Sequence, residues 1–371
     1  MFDLGTRSNK KMKIGIILHP FDEDKPAGLG RYIFDLTKNL VESDKDNEYI
    51  IYLKNRPRNK LSFNGENWRV EVLGFGKLWR DFGLFFAPKS DIYIFNTPVM
   101  PLFFKPKKSI VIALDFAYKY FESKNIKEKI RNFLLFRMNK FALRRADKIV
   151  SISEATKKDI INFFEILPSK IEVIYPGFKN ICLLKPKETD VPKKYFLFVG
   201  VVKERKNVFN IIRAFAEFKK RDKQDYKLVV VGKGKGEYYE SILSFVSEEK
   251  LTEEIIFKDF VEDNELCHIY KYAEALVFPG LVEGFGFPLL EAMACGLPVV
   301  TSNRSSLSEV VGDAVLKVNP EDIKEISGAM EKICENEELK RDLIKKGVDR
   351  VKYFSWQKSC RQLLDILNSI I

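Results

Sequence analysis

The chain has 371 residues, 46% hydrophobic and 31% charged, a balance that suits a globular protein of two domains and excludes a disordered or fibrous one. No run approaches 18 uninterrupted apolar residues, which argues against a spanning helix, and the opening MFDLGTRSNKKMKIGIIL lacks a signal-peptide core, with Met12 a candidate natural start. The formal net charge of +11 asks for an anionic partner; no nucleic-acid module is legible, which leaves a nucleotide substrate and an anionic membrane surface.

The first elements form a βα series. Residues 12–18 read as a buried strand, followed by His19, a loop that reaches Gly28-Leu29-Gly30-Arg31, and a helical pattern from Tyr32 to about Val41. A lone GxG fits a plain βα turn as well as a nucleotide loop. Apolar runs at Tyr49–Leu53, Val70–Leu73, Ile92–Phe95, Ile110–Leu114 and Lys148–Ser153 add strands at α/β spacing. A helix is expected over Glu154–Phe164 and a strand over Ile171–Ile174. Asp115, at a strand end, fits either an Asx turn or a contact with sugar, and His19 fits either a structural role or the cleft.

Residues 124–148 hold nine Lys/Arg against Glu128 and Asp147, a net charge of +7. Ile130, Phe133, Leu134, Met138 and Phe141 share one helical face, while Leu135, Phe136 and Leu143 do not. The surplus apolar and basic side chains suit either a helix that touches an anionic membrane surface or a solvated charge face over a core helix. Upstream, Leu84-Phe85-Phe86 and Leu102-Phe103-Phe104-Lys105-Pro106-Lys107-Lys108 repeat the aromatic-plus-basic theme.

Residues 179–194 are polar and rich in Pro and Lys, and read as a linker. A second series follows: strand Tyr195–Gly200, a loop to Lys206, a helix from Asn207, strand Lys227–Val231, the loop from Gly232 to Gly236 and a helix to about Ser247. Strand Ile255–Phe257, helix Asp263–Tyr272 and strand Ala275–Phe278 come next, then Val299–Ser302 and helices near 321–335, 337–350 and 354–371. Five scattered cysteines without CxxC spacing read as reduced thiols of a cytoplasmic protein, and with only two histidines no metal site is expected.

The stretch from Pro279 to Pro298 is the most informative. A buried strand feeds a glycine-rich turn and a helix started by Pro288, and Glu283 and Glu291 bracket the turn. Unpaired N–H groups at such a helix start favour a phosphate, and carboxylates beside it accept hydrogen bonds from sugar hydroxyls. A nucleotide sugar fits both.

This stretch resembles the motif of retaining glycosyltransferases of family four, and Val199 to Asn207 resembles that family's V-G-x-x-x-x-R-K-N element. Ser308 to Ala314 and Phe354-Ser355-Trp356 also match, so the resemblance runs from about Met12 to the end. It implies an α/β protein of GT-B fold, two Rossmann-like doubly wound domains facing across a cleft: residues 1–184 for the acceptor, 185–352 for the nucleotide sugar, and 353–371 as a helix crossing back. It implies catalytic roles for Arg205, Lys206, Glu283 and Asp115, with Arg205 and Lys206 stabilising the departing diphosphate without a metal. Gly28, Gly30, Gly200, Gly232, Gly286, Phe287, Pro288, Leu289 and Glu291 would bind the donor, which is a substrate; no cofactor is expected. The motif histidine after the strand at 110–114 is replaced by Leu114, and the motif serine by Gly280.

The activity implied is transfer of a hexose, expected to be mannose from GDP-mannose, to a lipid-linked or surface-glycan acceptor by a cytoplasmic enzyme peripheral on the membrane. The alternatives are a non-catalytic sugar-nucleotide-binding protein and another GT-B enzyme, a sugar phosphorylase or epimerase.

Overall fold

The computed structural model describes residues 11–19, 29–57, 61–222 and 224–370. The first half contains β1 (Lys13–Ile17), α1 (Leu29–Ser43), β2 (Glu48–Leu53), β3 (Trp68–Val72), α2 (Leu84–Phe86), β4 (Ile92–Phe95), β5 (Ser109–Ala113), α3 (Ile126–Arg145), β6 (Lys148–Ser151), α4 (Glu154–Phe164) and β7 (Ile171–Val173). Its strands pair in parallel in the order β3-β2-β1-β4-β5-β6-β7. Alternate strand residues face opposite layers: Ile14, Ile16, Ile92, Ile94, Ile110 and Ile112 point to one core, and Ile17, Tyr93, Phe95, Val111 and Ala113 to the other. Both faces are covered, so the strands read as continuous apolar runs.

The second half repeats the scheme with β8 (Tyr195–Val199), α5 (Val208–Lys219), β9 (Lys227–Val231), α6 (Glu237–Glu248), β10 (Ile255–Lys258), α7 (Asp263–Tyr272), β11 (Ala275–Phe278), α8 (Phe287–Ala294), β12 (Val299–Ser302), α9 (Ser305–Val311), β13 (Leu316–Val318), α10 (Ile323–Glu335) and α11 (Glu337–Val351). Its parallel order is β10-β9-β8-β11-β12-β13. Strand order therefore reverses between β1 and β4 and again between β8 and β11, and crevices open beyond the carboxyl ends of strands at such points. The last helix, α12 (Trp356–Ser369), leaves the second domain and packs on α1 of the first. Trp356 lies 5.8 Å from Tyr32 by ring centroids, and Cys360, Leu363 and Leu367 are buried.

Three expectations change. Cys182 and Cys295 are not reduced thiols but a disulfide, with Cα atoms 5.4 Å apart, joining the 3-10 turn Ile181–Leu183 to the end of α8. A sequence separation of 113 hides that proximity. The face of α3 that groups Ile130, Phe133, Leu134 and Met138 is exposed; Asn139, Ala142 and Leu143 are buried instead, and Phe136 stacks on Phe164. Finally, α1 begins at Leu29, three residues early, so Gly30 lies in its first turn. Among the described residues no helix is long and apolar enough to cross a membrane.

Candidate active site

The loops that follow β8 and β11 meet at the switch point of the second sheet. Asn207 holds them together. It sits in the left-handed region at φ 62° ahead of α5, and its side-chain amide donates to the carbonyls of Pro279, at 3.0 Å, and Pro320, at 2.6 Å. The Leu281 amide donates to the Arg205 carbonyl at 2.8 Å, and Arg205 donates to the Val282 carbonyl at 3.3 Å. The hydroxyls of Ser305 and Ser306, at the start of α9, donate to the Glu283 carbonyl at 2.9 and 2.6 Å. Each loop is thus fixed by the other.

This frame brings Arg205, Lys206 and Glu283 into one cluster. The Glu283 carboxylate lies 2.8 Å from the Arg205 guanidinium and 2.9 Å from the Lys206 ammonium. Lys206 is 12% and Glu283 9% exposed at the side chain, deep enough to strengthen every charge interaction. The ammonium also lies 4.7 Å from the Phe278 ring centroid. Burial lowers the Lys206 pKa, with Glu283 opposing and Arg205 reinforcing the shift. At Arg205 burial also works against the charge, but Glu283 and Asp115 more than restore it.

The first domain reaches this cluster through the loop after β5. Asp115 is exposed there and accepts a hydrogen bond from the Ala117 amide at 3.1 Å, so its Asx turn and its place beside Arg205 coexist. Gly284 faces it: a Cβ at that position would stand 2.3 Å from the Leu114 carbonyl oxygen and 3.1 Å from the Asp115 Cβ. The backbones of the two domains touch here, and only glycine permits it. Likewise a Cβ on Gly232 would lie 2.1 Å from the Gly200 oxygen, so these two glycines hold the loops after β8 and β9 in contact, with φ near 145° and 148°.

Glu291 belongs to a second cluster, on α8. Tyr270 donates to its carboxylate at 3.1 Å, and burial raises its pKa against the opposing charge of Arg31. Arg31 comes from the first domain and donates to both Asp263 oxygens, at 3.3 and 3.0 Å. Lys179 joins Asp263 at 2.8 Å, and burial, which opposes the charge of Asp263, is outweighed by these two cations, which hold its carboxyl below the usual range. Arg31 directly follows the glycine pair Gly28 and Gly30, a signal without a partner in the sequence; Tyr270 carries no local signal. A third crossing sits nearer the final helix, where Glu309 accepts from the amides of Glu154 and Ala155 at 2.7 and 3.1 Å and caps α4.

The remaining expected residues divide. Gly286 precedes α8, Phe287 opens it against Tyr32 at 6.3 Å, and Pro288 occupies its first turn. The Leu289 amide is engaged by the Gly286 carbonyl at 3.1 Å and its side chain is buried, so it supports the turn rather than opening to the cleft. Gly30 is buried in helix, and Gly28 lies outside the described residues. His19 packs on Trp79 at 5.3 Å.

Two parallel-sheet Rossmann-like domains meeting across a cleft, with the charged cluster at the second switch point, define a GT-B protein. Residues 26–179 match the family described as Glycosyltransferase Family 4 and residues 183–350 the one described as Glycosyl transferases group 1, so the chain has the two-domain make-up of a group 1 GT-B glycosyltransferase. It is 30% identical over 294 residues to the serotype-specific mannosyltransferase WbdA of Escherichia coli, covering 76% of this chain and 35% of that protein. It is 32% identical over 214 residues to the O-antigen chain mannosyltransferase RfbU of Salmonella typhimurium, covering 58% and 57%. The chain thus spans about a third of the length of the first relative and just over half of the second. A solved sucrose-phosphate synthase from Thermosynechococcus elongatus shares the fold with a TM-score of 0.74 at 18% identity, over 97% of this chain and 99% of that one.

Proposed function

We propose that the chain is a retaining glycosyltransferase that moves a hexose from a nucleotide diphosphate sugar to a glycan or lipid-linked acceptor. Mannose is the sugar we infer, because two of the relatives are named mannosyltransferases. The observation that carries the reading is the Glu283 carboxylate held between Arg205 and Lys206. That carboxylate stands where a diphosphate would sit between two fixed cations. Donor binding would draw both cations to phosphate oxygens and free Glu283 to accept hydrogen bonds from sugar hydroxyls.

In the reaction the bond from the sugar C1 to the β-phosphate oxygen breaks and its electron pair stays on that oxygen. Arg205 and Lys206 meet the charge that develops there, which is the stage at which fixed donors contribute most. The acceptor hydroxyl attacks from the same face and its proton passes to the leaving phosphate oxygen, so the anomeric configuration is retained. Glu291 and Tyr270 lie at the position we assign to the ribose, and Asp115 at the sugar or acceptor side. The exposed face of α3, with its cations, is where we place contact with an anionic membrane surface.

Thermal-shift screening of nucleotide sugars tests the donor: at a hundredfold excess over Kd a bound ligand adds about 2.7 kcal/mol of stability. GDP-mannose is expected to stabilise the protein most. A folded protein that no nucleotide diphosphate sugar stabilises would remove the reading. Stabilisation without release of nucleoside diphosphate, across a panel of polyprenyl-linked and free glycans, would favour a binding protein instead.

A further inference from the structure

We infer that a rigid cluster of phenylalanines on the first domain, distinct from α3, is a wedge that inserts into the headgroup layer of an anionic bilayer. Phe75, Phe82, Phe85, Phe86 and Phe103 are all exposed, the last two at 71% and 73%. They form one chain of ring contacts, with Phe75 to Phe86 at 6.0 Å, Phe75 to Phe82 at 6.4 Å, Phe82 to Phe103 at 6.4 Å and Phe85 to Phe86 at 5.3 Å. At about 200 Å² per side chain the five rings expose on the order of 600 Å², already the upper end for the largest apolar patch of a monomer. Leu78 and Leu102 extend it.

The patch is built rather than frayed. Asp81 accepts from the amide of Phe103 at 3.0 Å and from that of Leu102, tying the second loop to the first. Arg145, at the end of α3, donates to the carbonyls of Pro101 at 2.8 Å and Phe104 at 3.2 Å. Phe75 is held outward in the left-handed region at φ 60°, between Gly74 and Gly76 in the same region. A non-glycine residue there costs about 1 kcal/mol or more, and the strain buys no buried contact.

Charge selects the partner. Residues 75–108 carry six Lys/Arg against Asp81 and Asp91. Asp81 is spent on the two amides, and Asp91 lies 3.9 Å from Lys107. The Lys89 ammonium sits 5.5 Å from the Phe85 ring and 4.9 Å from the Phe104 ring, a cation at the edge of the apolar surface. The neighbouring groove along α3, about 540 Å³, is lined by Arg137, Lys140, Phe141, Arg144 and Arg145 and continues the cationic rim. Apolar rings inside a basic border match acyl chains beneath anionic headgroups.

Topology adds a purpose. The sheet is parallel, so the loops after β3 and β4 that carry the wedge leave the same edge as the loop after β5 that carries Asp115. The wedge residues lie further along those loops, next to Lys89 and Arg145, which lead into the amino ends of β4 and β6, so the wedge would hold the first domain against the surface that carries a membrane-borne acceptor. That purpose rests on the proposed transferase activity; the insertion itself does not.

The test uses the full chain without nucleotide sugar, with vesicles of phosphatidylcholine alone or mixed with phosphatidylglycerol. Phe103→Trp is expected to shift its emission to the blue on adding mixed vesicles, and residual wild-type binding is expected to persist in high salt, where α3 charges are screened. The triple variant Phe85→Ser, Phe86→Ser and Phe103→Ser should bind on the order of tenfold more weakly in high salt, while keeping its melting temperature and its turnover of a soluble acceptor. No emission shift, or equal binding by the triple variant, would overturn the inference. So would a wild-type dimer in light scattering that the triple variant abolishes with vesicle affinity unchanged, since the patch would then join copies of the chain. Loss of transfer with vesicle binding intact would count against the transferase reading alone.

Discussion

Lys206 is buried against Glu283, and desolvation leaves its pKa below the ordinary lysine value of 10.5. The unfolded chain then binds more protons between the two values, so the charged amine lowers stability below the folded pKa and this loss is relieved as pH rises towards 10.5. The role proposed for Lys206, meeting charge on the departing diphosphate, needs the charged form. The alkaline limb of kcat/KM is therefore expected below 10.5, and that of kcat higher, because bound diphosphate restores the charge. Lys206→Ala is expected to lower kcat/KM by about 3 kcal/mol, roughly a hundredfold; steady-state kinetics with a near-normal value would take Lys206 out of the mechanism. Glu291 has the opposite shift. Burial raises its pKa, so its stability contribution is complete below the ordinary glutamate value of 4.5 and is lost as pH rises through the folded value. Glu291→Gln should raise the melting temperature at neutral pH relative to wild type while raising donor KM about tenfold, the worth of one hydrogen bond to a charged group. A lower melting temperature with unchanged KM would contradict the assignment.

At the scale of elements, the sheet strands were legible because a parallel sheet buried on both faces reads as apolar runs. Two short or uncapped pieces were not, although three-residue β7 was. β13 is three residues long, and α9 starts after Arg304, which makes no side-chain cap bond. The charged cluster was legible because glycines, Arg205-Lys206-Asn207 and Glu283 fall at fixed places in strand-loop-helix units; the clamp made by Asn207 needs the loops already folded. Side-chain periodicity grouped the apolar residues of α3 but does not say which way a face points, and the exposed one was the larger. Lys140 and Arg144 pair with Glu165 at 3.0 and 3.3 Å, contacts exposed enough for solvent to screen. Reversing Arg137, Lys140 and Arg144 to Glu is expected to leave the fold and soluble-acceptor turnover intact. It should weaken binding to anionic vesicles at low salt, and co-sedimentation that shows no change would return α3 to a solvated face.

At the scale of the whole molecule, the two domains meet at backbone distance where Gly284 faces Leu114 and Asp115. Gly284→Ala places a methyl group 2.3 Å from a carbonyl oxygen, a clash relieved only by moving the domains apart. Small-angle scattering should then show a larger radius of gyration, and kcat should fall at least about tenfold, since a small misplacement of reacting groups costs that much or more. Unchanged scattering and kcat would mean the contact has no part in closure. Arg31 and Lys179 with Asp263, Lys124 with Glu204, and Glu309 with the start of α4 add polar ties between the domains, beside the apolar contact of Tyr32 with Phe287.

The crossing of α12 has a consequence for synthesis. Chains usually fold from the amino end as they emerge, one domain at a time. Here the first domain's core includes Trp356, Leu363 and Leu367, and its Tyr175 carbonyl accepts from Ser359 at 2.6 Å. β7 closes the first sheet at Val173, but that domain waits for the whole second domain to leave the ribosome before its last helix arrives. The later-made domain is complete first, and the earlier one remains open along α1 until α12 docks.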